Sequence, residues 1–440
     1  MADESRRIPE ITIIGAGLAG SEAAYQLLRR GIAVRLLEMR PATLTPAHTG
    51  GGFAELVCSN SLRSDQLENA VGLLKEEMRR LDSLILAAAD ATRVPAGSAL
   101  AVDRHAFSAW VERRLRAFPA LTVERREVDE LPFGPLLIAA GPLASPALSA
   151  RIASLTGTTQ LYFHDAIAPI VDAASIDMDI AFFASRYGRG DAGDYLNCPF
   201  NAEQYQAFYQ ALVTAELYPL HDFETEKHFS GCMPLETMAR FGEDAIRFGP
   251  LKPVGLPLPN GGEAYAVVQL RRENAAGSMY NLVGFQTRLR RGEQERVFRM
   301  IPGLQKAEFL RYGAMHRNTY LHAPRLLDGA LRLKTEPRIR FAGQITGVEG
   351  YVESAASGLM AGIFAASELR GKPLPVFPRE TALGSLLAFT QTEKADYQPM
   401  NVNFGLMPAT GQRFRSKKEK YAALAARALA AIDRFRGETE

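Results

Sequence analysis

Six residues, Gly15-Ala16-Gly17-Leu18-Ala19-Gly20, constrain the fold of this chain more than any other stretch. They follow an apolar run, Ile11 to Ile14, that reads as a buried strand. They open a segment, Ser21 to Arg30, in which Ala23, Ala24, Leu27 and Leu28 share one helical face. After Gly31 a second apolar run, Val34 to Leu37, predicts another strand, so the N-terminus is a strand-helix-strand unit and calls for a parallel sheet. Within it Gly15 makes the tight turn, Gly17 lets the backbone approach a pyrophosphate, and Gly20 lets helix and strand pack closely. The helix start adds unpaired N–H groups and the positive end of the helix dipole, which favour phosphate. Glu38, eighteen residues after Gly20, is placed to accept hydrogen bonds from an adenosine ribose.

The bare glycine pattern is weak without that context. A second match, Gly188-Arg189-Gly190-Asp191-Ala192-Gly193, runs into Asn197-Cys198-Pro199, where proline ends any phosphate-binding helix, and reads as a loop or hairpin turn. The choice of FAD over NAD rests instead on Phe341 to Tyr351, which precedes a helix of small residues, Glu353 to Ala366. A strand that ends in Gly343-Gln344 and runs through Gly350-Tyr351 into a helix start sets backbone N–H groups beside a flavin. Leu136 to Ala140 and Ile339 to Ala342 are further strands of the same sheet. Between them, residues from Asp177 to Pro324 turn aromatic and rich in Gly and Pro, with hairpin-like stretches such as Ala264 to Leu270.

The expected fold is therefore α/β: an FAD-binding Rossmann-like (glutathione-reductase-like) parallel sheet with an inserted α+β domain. The FAD-binding domain would occupy 1–176 and 325–440, and the inserted domain 177–324. A last amphipathic helix, Tyr421 to Phe435, carries Leu424, Ala428, Ile432 and Phe435 inward. With 440 residues, 47% hydrophobic and 23% charged, the chain has the composition of a globular protein and excludes disorder for most of its length. A formal charge of +2 leaves any nucleic-acid surface to local patches. Three cysteines, Cys58, Cys198 and Cys232, make no zinc spacing and no CxxC, so no metal site and no structural disulfide is expected. No run of eighteen apolar residues occurs, and the start, Met1 to Glu10, lacks an apolar stretch; the reading is a cytoplasmic protein away from membranes.

Two cysteines sit in distinctive surroundings: Gly50-Gly51-Gly52-Phe53-Ala54-Glu55-Leu56-Val57-Cys58-Ser59-Asn60-Ser61, and Phe229-Ser230-Gly231-Cys232-Met233-Pro234-Leu235-Glu236. With the N-terminal fingerprint and Gly343 to Ser357, these closely resemble the folate- and FAD-dependent tRNA (uracil-5-)-methyltransferases along essentially the whole chain. The related, larger FAD-dependent wobble-uridine modification proteins carry a long C-terminal helical domain that this sequence lacks. The resemblance implies that methylenetetrahydrofolate donates a one-carbon unit, that reduced flavin relays and reduces it, and that a T-loop uridine becomes 5-methyluridine. It implies NADH or NADPH as reductant, tRNA and folate as partners, and two important cysteines, which map to Cys58 and Cys232. Tyr351 is a candidate to border the folate, with core packing of its ring as the other reading.

Chemistry supplies a separate reason for a thiol. Uracil C5 is a poor nucleophile until something adds to C6, and a thiolate is the strongest side-chain nucleophile near neutral pH. Cys232, in the inserted domain, is expected to attack C6, while Cys58, beside the cofactor loop, is expected to accept the C5 proton or guard the methylene. Cys198 reads as a small buried hydrophobe. Ribosomal RNA methylation and a small-molecule flavin oxidoreductase remain as alternatives, the latter leaving both cysteine motifs without use. For RNA, positions 413 to 436 hold eight basic residues against Glu419 and Asp433, a local +6 that includes Arg413, Arg415, Lys417 and Lys418. Arg288, Arg290 and Arg291 form a second cluster. A solvated helix face is an equal reading of each. Phe414, Tyr312 and His316 could stack bases, although core aromatics are the commoner use.

Overall fold

The computed structural model describes residues 9–45, 47–157, 161–188, 193–218, 233–394 and 397–439. Its first sheet has six strands in the order Arg332–Leu333, Glu336–Phe341, Leu136–Ile138, Glu10–Ile14, Ala33–Glu38 and Leu121–Arg125. All neighbours are parallel except the first pair, which is antiparallel. Ile13, Leu36, Leu137 and Ile339 are wholly buried, as expected of a sheet covered on both faces. The two strands anticipated far apart in sequence, around Leu136 and Ile339, are hydrogen-bonded neighbours.

Helix Leu18–Leu28 begins three residues earlier than the apolar periodicity suggests, because the glycine turn itself forms the first helical turn. It packs against Tyr351–Leu369, in which every residue from Val352 to Ala366 is buried. Small side chains are required there: a Cβ on Gly362 would stand 2.9 Å from the carbonyl oxygen of Ala23. Helix Lys417–Thr439 closes the molecule with Leu424, Ala428, Ile432 and Phe435 buried.

A second sheet is wholly antiparallel, in the order Phe182–Phe183, Tyr195–Phe200, Ala266–Arg272, Met279–Leu282, Ile170–Asp172 and Phe309–Arg311. It buries its own core, with Cys198, Phe200, Val268, Leu270, Phe285 and Phe298 at or near zero exposure. The stretch Ala264 to Leu270 is an inner strand of this sheet, starting at Ala266, and not a self-contained hairpin. Its Ile170–Asp172 strand lies ahead of position 177, where the change of composition sets in. The chain passes between the two sheets along Leu161–Ile167 and returns along Ala314–Tyr320, two strands paired antiparallel. Most of the second glycine pattern, at 189–192, lies outside the described residues.

A small third sheet, Ser61–Ser64, Ala99–Val102 and Arg93–Val94, carries the segment after Cys58. Lys75, with no exposed surface, donates to the carbonyls of Leu62, Arg63 and Ser64 at 2.9, 3.1 and 2.7 Å. These bonds hold Arg63 in a left-handed conformation, φ 62°. Burial pulls the Lys75 ammonium down to about 8.

Candidate functional site

The glycine turn sits where the Glu10–Ile14 strand ends. Gly15 has φ +99°, and a Cβ on it would stand 2.6 Å from the carbonyl oxygen of Ala139. A Cβ on Gly20 would stand 1.8 Å from the oxygen of Gly15, so the turn and the first helical turn touch backbone to backbone. Gly17 is different: nothing lies within 4 Å of its would-be Cβ, and its open side belongs to a cleft of about 1000 Å³ counted with the solvent at its mouth. The helix start has no side-chain cap and no acidic residue in its first turn, which leaves its free N–H groups to a ligand. Gly15, Gly17, Leu18, Ala19, Glu38, Gly343, Gln344 and Tyr351 line this cleft. Ala16 and Gly20 are buried behind it, and Gly350 lines a neighbouring cleft instead. A dinucleotide fits this cradle: the two glycines that a side chain would jam are structural, and the one left open faces the cleft.

At its far end Glu38 accepts from the N–H of Ala16 at 2.8 Å and from Arg40 Nε at 2.9 Å. Burial opposes the Glu38 charge, but the hydrogen bonds and charge of Arg40 outweigh it and hold the carboxyl below its ordinary range. Arg40 also reaches Glu55 at 2.9 Å. His48 lines the same end, and burial followed by the Arg40 charge pushes it down to about 4, so it is neutral near pH 7. Arg40, His48 and Glu55 were missed in the sequence; Arg40 and Glu55 stand close to Glu38 and the glycine loop, the one signal available.

A second cleft, of about 1150 Å³ counted likewise with the open solvent, adjoins the first, sharing Val57, Pro142, Leu143, Gln344 and Tyr351 with it. It adds Cys58, Ser59, Arg63, Arg271, Gln286, Asn318 and Asn401, a wall rich in hydrogen-bonding groups. Tyr351 starts its helix at the partition, with Gly350 at φ +111° before it. Its Oη lies 2.9 Å from Cys58 Sγ. Arg104 donates to the carbonyls of Leu56 and Val57, and Arg311 to Val57 at 2.9 Å. Glu273 holds Arg104 at 2.8 Å. Burial, followed by the charge of Arg104, pulls Arg311 down to about 10. Arg271 donates to Ser59 Oγ at 2.8 Å and to Asn60 Oδ1 at 2.9 Å. Glu273, Arg271 and Arg311 come from the second sheet or its end, so that sheet and the helices starting at Arg104 and Tyr351 together grip the Cys58 loop.

Cys232 lies outside the described residues. Leu235, three positions on, donates its N–H to the carbonyl of Gln286 at 2.8 Å, and Gln286 lines the second cleft. Cys198 is fully buried, and burial pushes its thiol up to about 12. Arg413, Arg415, Lys417 and Lys418 are exposed, while Arg290 is exposed and paired with Glu216 at 3.2 Å. Arg288 corrects the sequence reading: only 6% of it is exposed, beneath the helix whose Glu236 accepts its backbone N–H at 2.7 Å, so it is not a surface cation. Tyr312 stacks on Phe309 and carries Arg291 over its face; Phe414 is half-buried, and the side chain of His316 lies outside the description. Among the described residues no group of His, Cys, Asp or Glu could hold a metal ion, and no helix is long and apolar enough to cross a membrane.

A family model described as glucose inhibited division protein A matches residues 10–373. A protein of Heliobacterium modesticaldum is 58% identical over 431 residues, 97% of this chain and 98% of its own. One from Listeria monocytogenes is 57% identical over 430 residues, 97% and 99% of the two chains. Both are named methylenetetrahydrofolate-tRNA-(uracil-5-)-methyltransferase TrmFO. Aquifex aeolicus GidA, in its form I crystal, superposes with a TM-score of 0.69 at 16% identity, covering 97% of this chain and 76% of that one, a likeness of fold. The glycine cradle is thus part of an FAD-binding Rossmann-like α/β fold. With most of its residues shared over nearly its whole length, the chain belongs to the glucose inhibited division protein A family and, within it, to the methylenetetrahydrofolate-tRNA-(uracil-5-)-methyltransferases.

Proposed function

We propose that the chain methylates C5 of a tRNA uridine, in the T-loop, with methylenetetrahydrofolate as one-carbon donor, FAD as resident cofactor and NADH or NADPH as reductant, in the cytoplasm. The observation that carries this reading is the pair Cys58 and Tyr351 on the wall between a dinucleotide cleft and a polar second cleft. Bound in the first cleft and reduced by NADH or NADPH, FAD would supply the electrons that bring the one-carbon unit to the methyl level. The open side of Gly17, Glu38, and the backbone at Gly343 and Gln344 would hold it. The target base and the folate would enter the second cleft, where Ser59, Asn318 and Arg271 offer polar contacts.

Cys232 serves as the nucleophile at C6. Its addition moves electron density to C5, which then takes the one-carbon unit; Cys58 accepts the C5 proton, and loss of Cys232 restores the ring double bond. The contact of Leu235 with Gln286, beside the second cleft, supports a part for the segment around position 232 at that cleft. A small-molecule oxidoreductase would leave the Cys58 and Tyr351 pair without a task. Exposed Arg290, Arg413, Arg415, Lys417 and Lys418 are the cations for RNA phosphates.

Incubation with unmodified tRNA, methylenetetrahydrofolate and NADPH or NADH, followed by nucleoside analysis, should yield 5-methyluridine. Unchanged tRNA with methylated ribosomal RNA would select the ribosomal activity. With 5-fluorouridine-containing tRNA, Cys232→Ala should form no covalent adduct, while Cys58→Ala should bind RNA without turnover. The reverse pattern exchanges the two roles.

A further inference from the structure

The hydroxyl of Tyr351 meets the Cys58 loop at three points. It accepts the N–H of Cys58 at 2.7 Å and that of Ser59 at 3.2 Å, and it lies 2.9 Å from Cys58 Sγ. A phenol oxygen offers two acceptor sites and one hydrogen. The two backbone donors fill the acceptor sites, so the remaining hydrogen is directed at sulfur, and sulfur is the acceptor in this contact. An ionised sulfur accepts far more strongly than a neutral thiol.

The charged groups around the loop favour that form. Arg104, at the start of its helix, and Arg311, from the second sheet, both donate to the carbonyl of Val57, and Arg271 holds Ser59. Among the described residues Glu273 is the anion bonded to Arg104, while Glu349 and Arg63, the latter paired with Glu353, line the second cleft. Nε and Nη2 of Arg311 are buried with no hydrogen-bond partner among the described residues, so no carboxylate is hydrogen-bonded there, although Glu273 lies near enough to act on its charge. Burial, and then the charge of Cys58, pushes the Tyr351 phenol well above its ordinary value, which keeps it a donor.

We propose that Tyr351 is the positioning residue for Cys58: its hydroxyl donates to Sγ and, with Arg104 and Arg311 behind the loop, holds the sulfur as a thiolate on the wall of the second cleft. The inference rests on the reading of Cys58 as acceptor of the C5 proton. In that step the C5–H bond breaks, its electron pair stays in the pyrimidine ring and an S–H bond forms. Tyr351 keeps its own proton throughout. A thiol already carrying a proton could not do this.

The test needs no methylation. In the FAD-loaded enzyme carrying Cys232→Ser, Cys58 is the accessible thiol, since Cys198 is fully buried. Its alkylation by iodoacetamide is followed by mass spectrometry across about pH 6 to 10, with and without Tyr351→Phe. The Phe variant should shift the midpoint upward by about one pH unit and slow alkylation near neutral pH by about tenfold. Arg311→Met should shift it the same way. An unchanged profile overturns the proposal. So does faster alkylation at every pH with the same midpoint, which is what a merely loosened loop would give. If Tyr351→Phe sheds FAD, the same comparison on both apoproteins decides. Full turnover by Cys58→Ala would overturn the proton-acceptor role and leave the alkylation profile to judge the pair by itself.

Discussion

Gly358 and Ala19 bring two helices into backbone contact: a Cβ built on Gly358 would stand 2.2 Å from the carbonyl oxygen of Ala19. Neither partner can yield, because Ala19 belongs to the helix that starts at the glycine turn. Gly358→Ala should therefore cost at least about 1–3 kcal/mol, typical of overpacking in a tight core, and lower the thermal midpoint by several degrees. Calorimetry that finds an unchanged midpoint would show the helices free to move apart.

Gly17 calls for the opposite result. Its φ is −72° and its would-be Cβ meets open space. Gly17→Val should keep its secondary structure by circular dichroism, yet be purified without the yellow colour of FAD, because the side chain fills the approach of the pyrophosphate. A Val variant that retains flavin at full occupancy would place the pyrophosphate elsewhere.

Glu77 sets a pH dependence of stability. It is fully buried and accepts the N–H groups of Ala382 and Leu383, at 2.7 and 2.9 Å, at the start of helix Ala382–Phe389. Burial outweighs those bonds and pushes its carboxyl up to about 8 from 4.5. The folded state thus binds a proton that the unfolded chain releases above pH 4.5. The contribution is whole below that value and is lost as pH rises to about 8. The thermal midpoint of the parent should fall across that window relative to Glu77→Gln, which has no proton to lose. Parallel curves for the two proteins would remove Glu77 as the source.

The C-terminal cations should act through salt-dependent contacts. Lys417 lies over the Tyr421 ring, and Lys418, 81% exposed, is 3.9 Å from Glu68. Replacing Lys417, Lys418 and Lys420 by Gln should weaken tRNA binding and reduce the log-log salt slope by about one per lost contact, with flavin content unchanged. A slope equal to that of the parent would return the segment to a solvated helix face.

The parts legible in the sequence are those whose chemistry is local. Gly15, Gly17, Gly20 and Glu38 fall within one strand-helix-strand unit, and the pyrophosphate and ribose of a dinucleotide dictate their spacing. The small residues from Glu353 to Ala366 gave a helix, but their purpose, a close approach to Ala19 and Ala23, shows only in the folded chain. Arg104 and Arg311 were invisible because the Cys58 loop meets them only in the folded chain, 46 and 253 positions away. Arg288 misled for a related reason: its neighbours Arg290 and Arg291 are exposed, but nothing local tells that Glu236 closes over position 288. The strand Ile170–Asp172 is three residues long and gains its identity from Met279–Leu282 and Phe309–Arg311, far along the chain.

The insertion of one sheet between the strands of another also fixes an order of manufacture. Every strand of the second sheet lies between positions 170 and 311, so that unit is complete when the ribosome reaches the return strand Ala314–Tyr320. At that moment the first sheet still lacks Glu336–Phe341, and helix Leu18–Leu28 lacks the partner that covers it, Tyr351–Leu369. Gly343, Gln344 and Tyr351 are synthesised later still. The nucleotide cleft, begun by the glycine turn at 15–20, therefore gains its remaining walls only after the second sheet has been made, and cofactor capture waits for the synthesis of Tyr351.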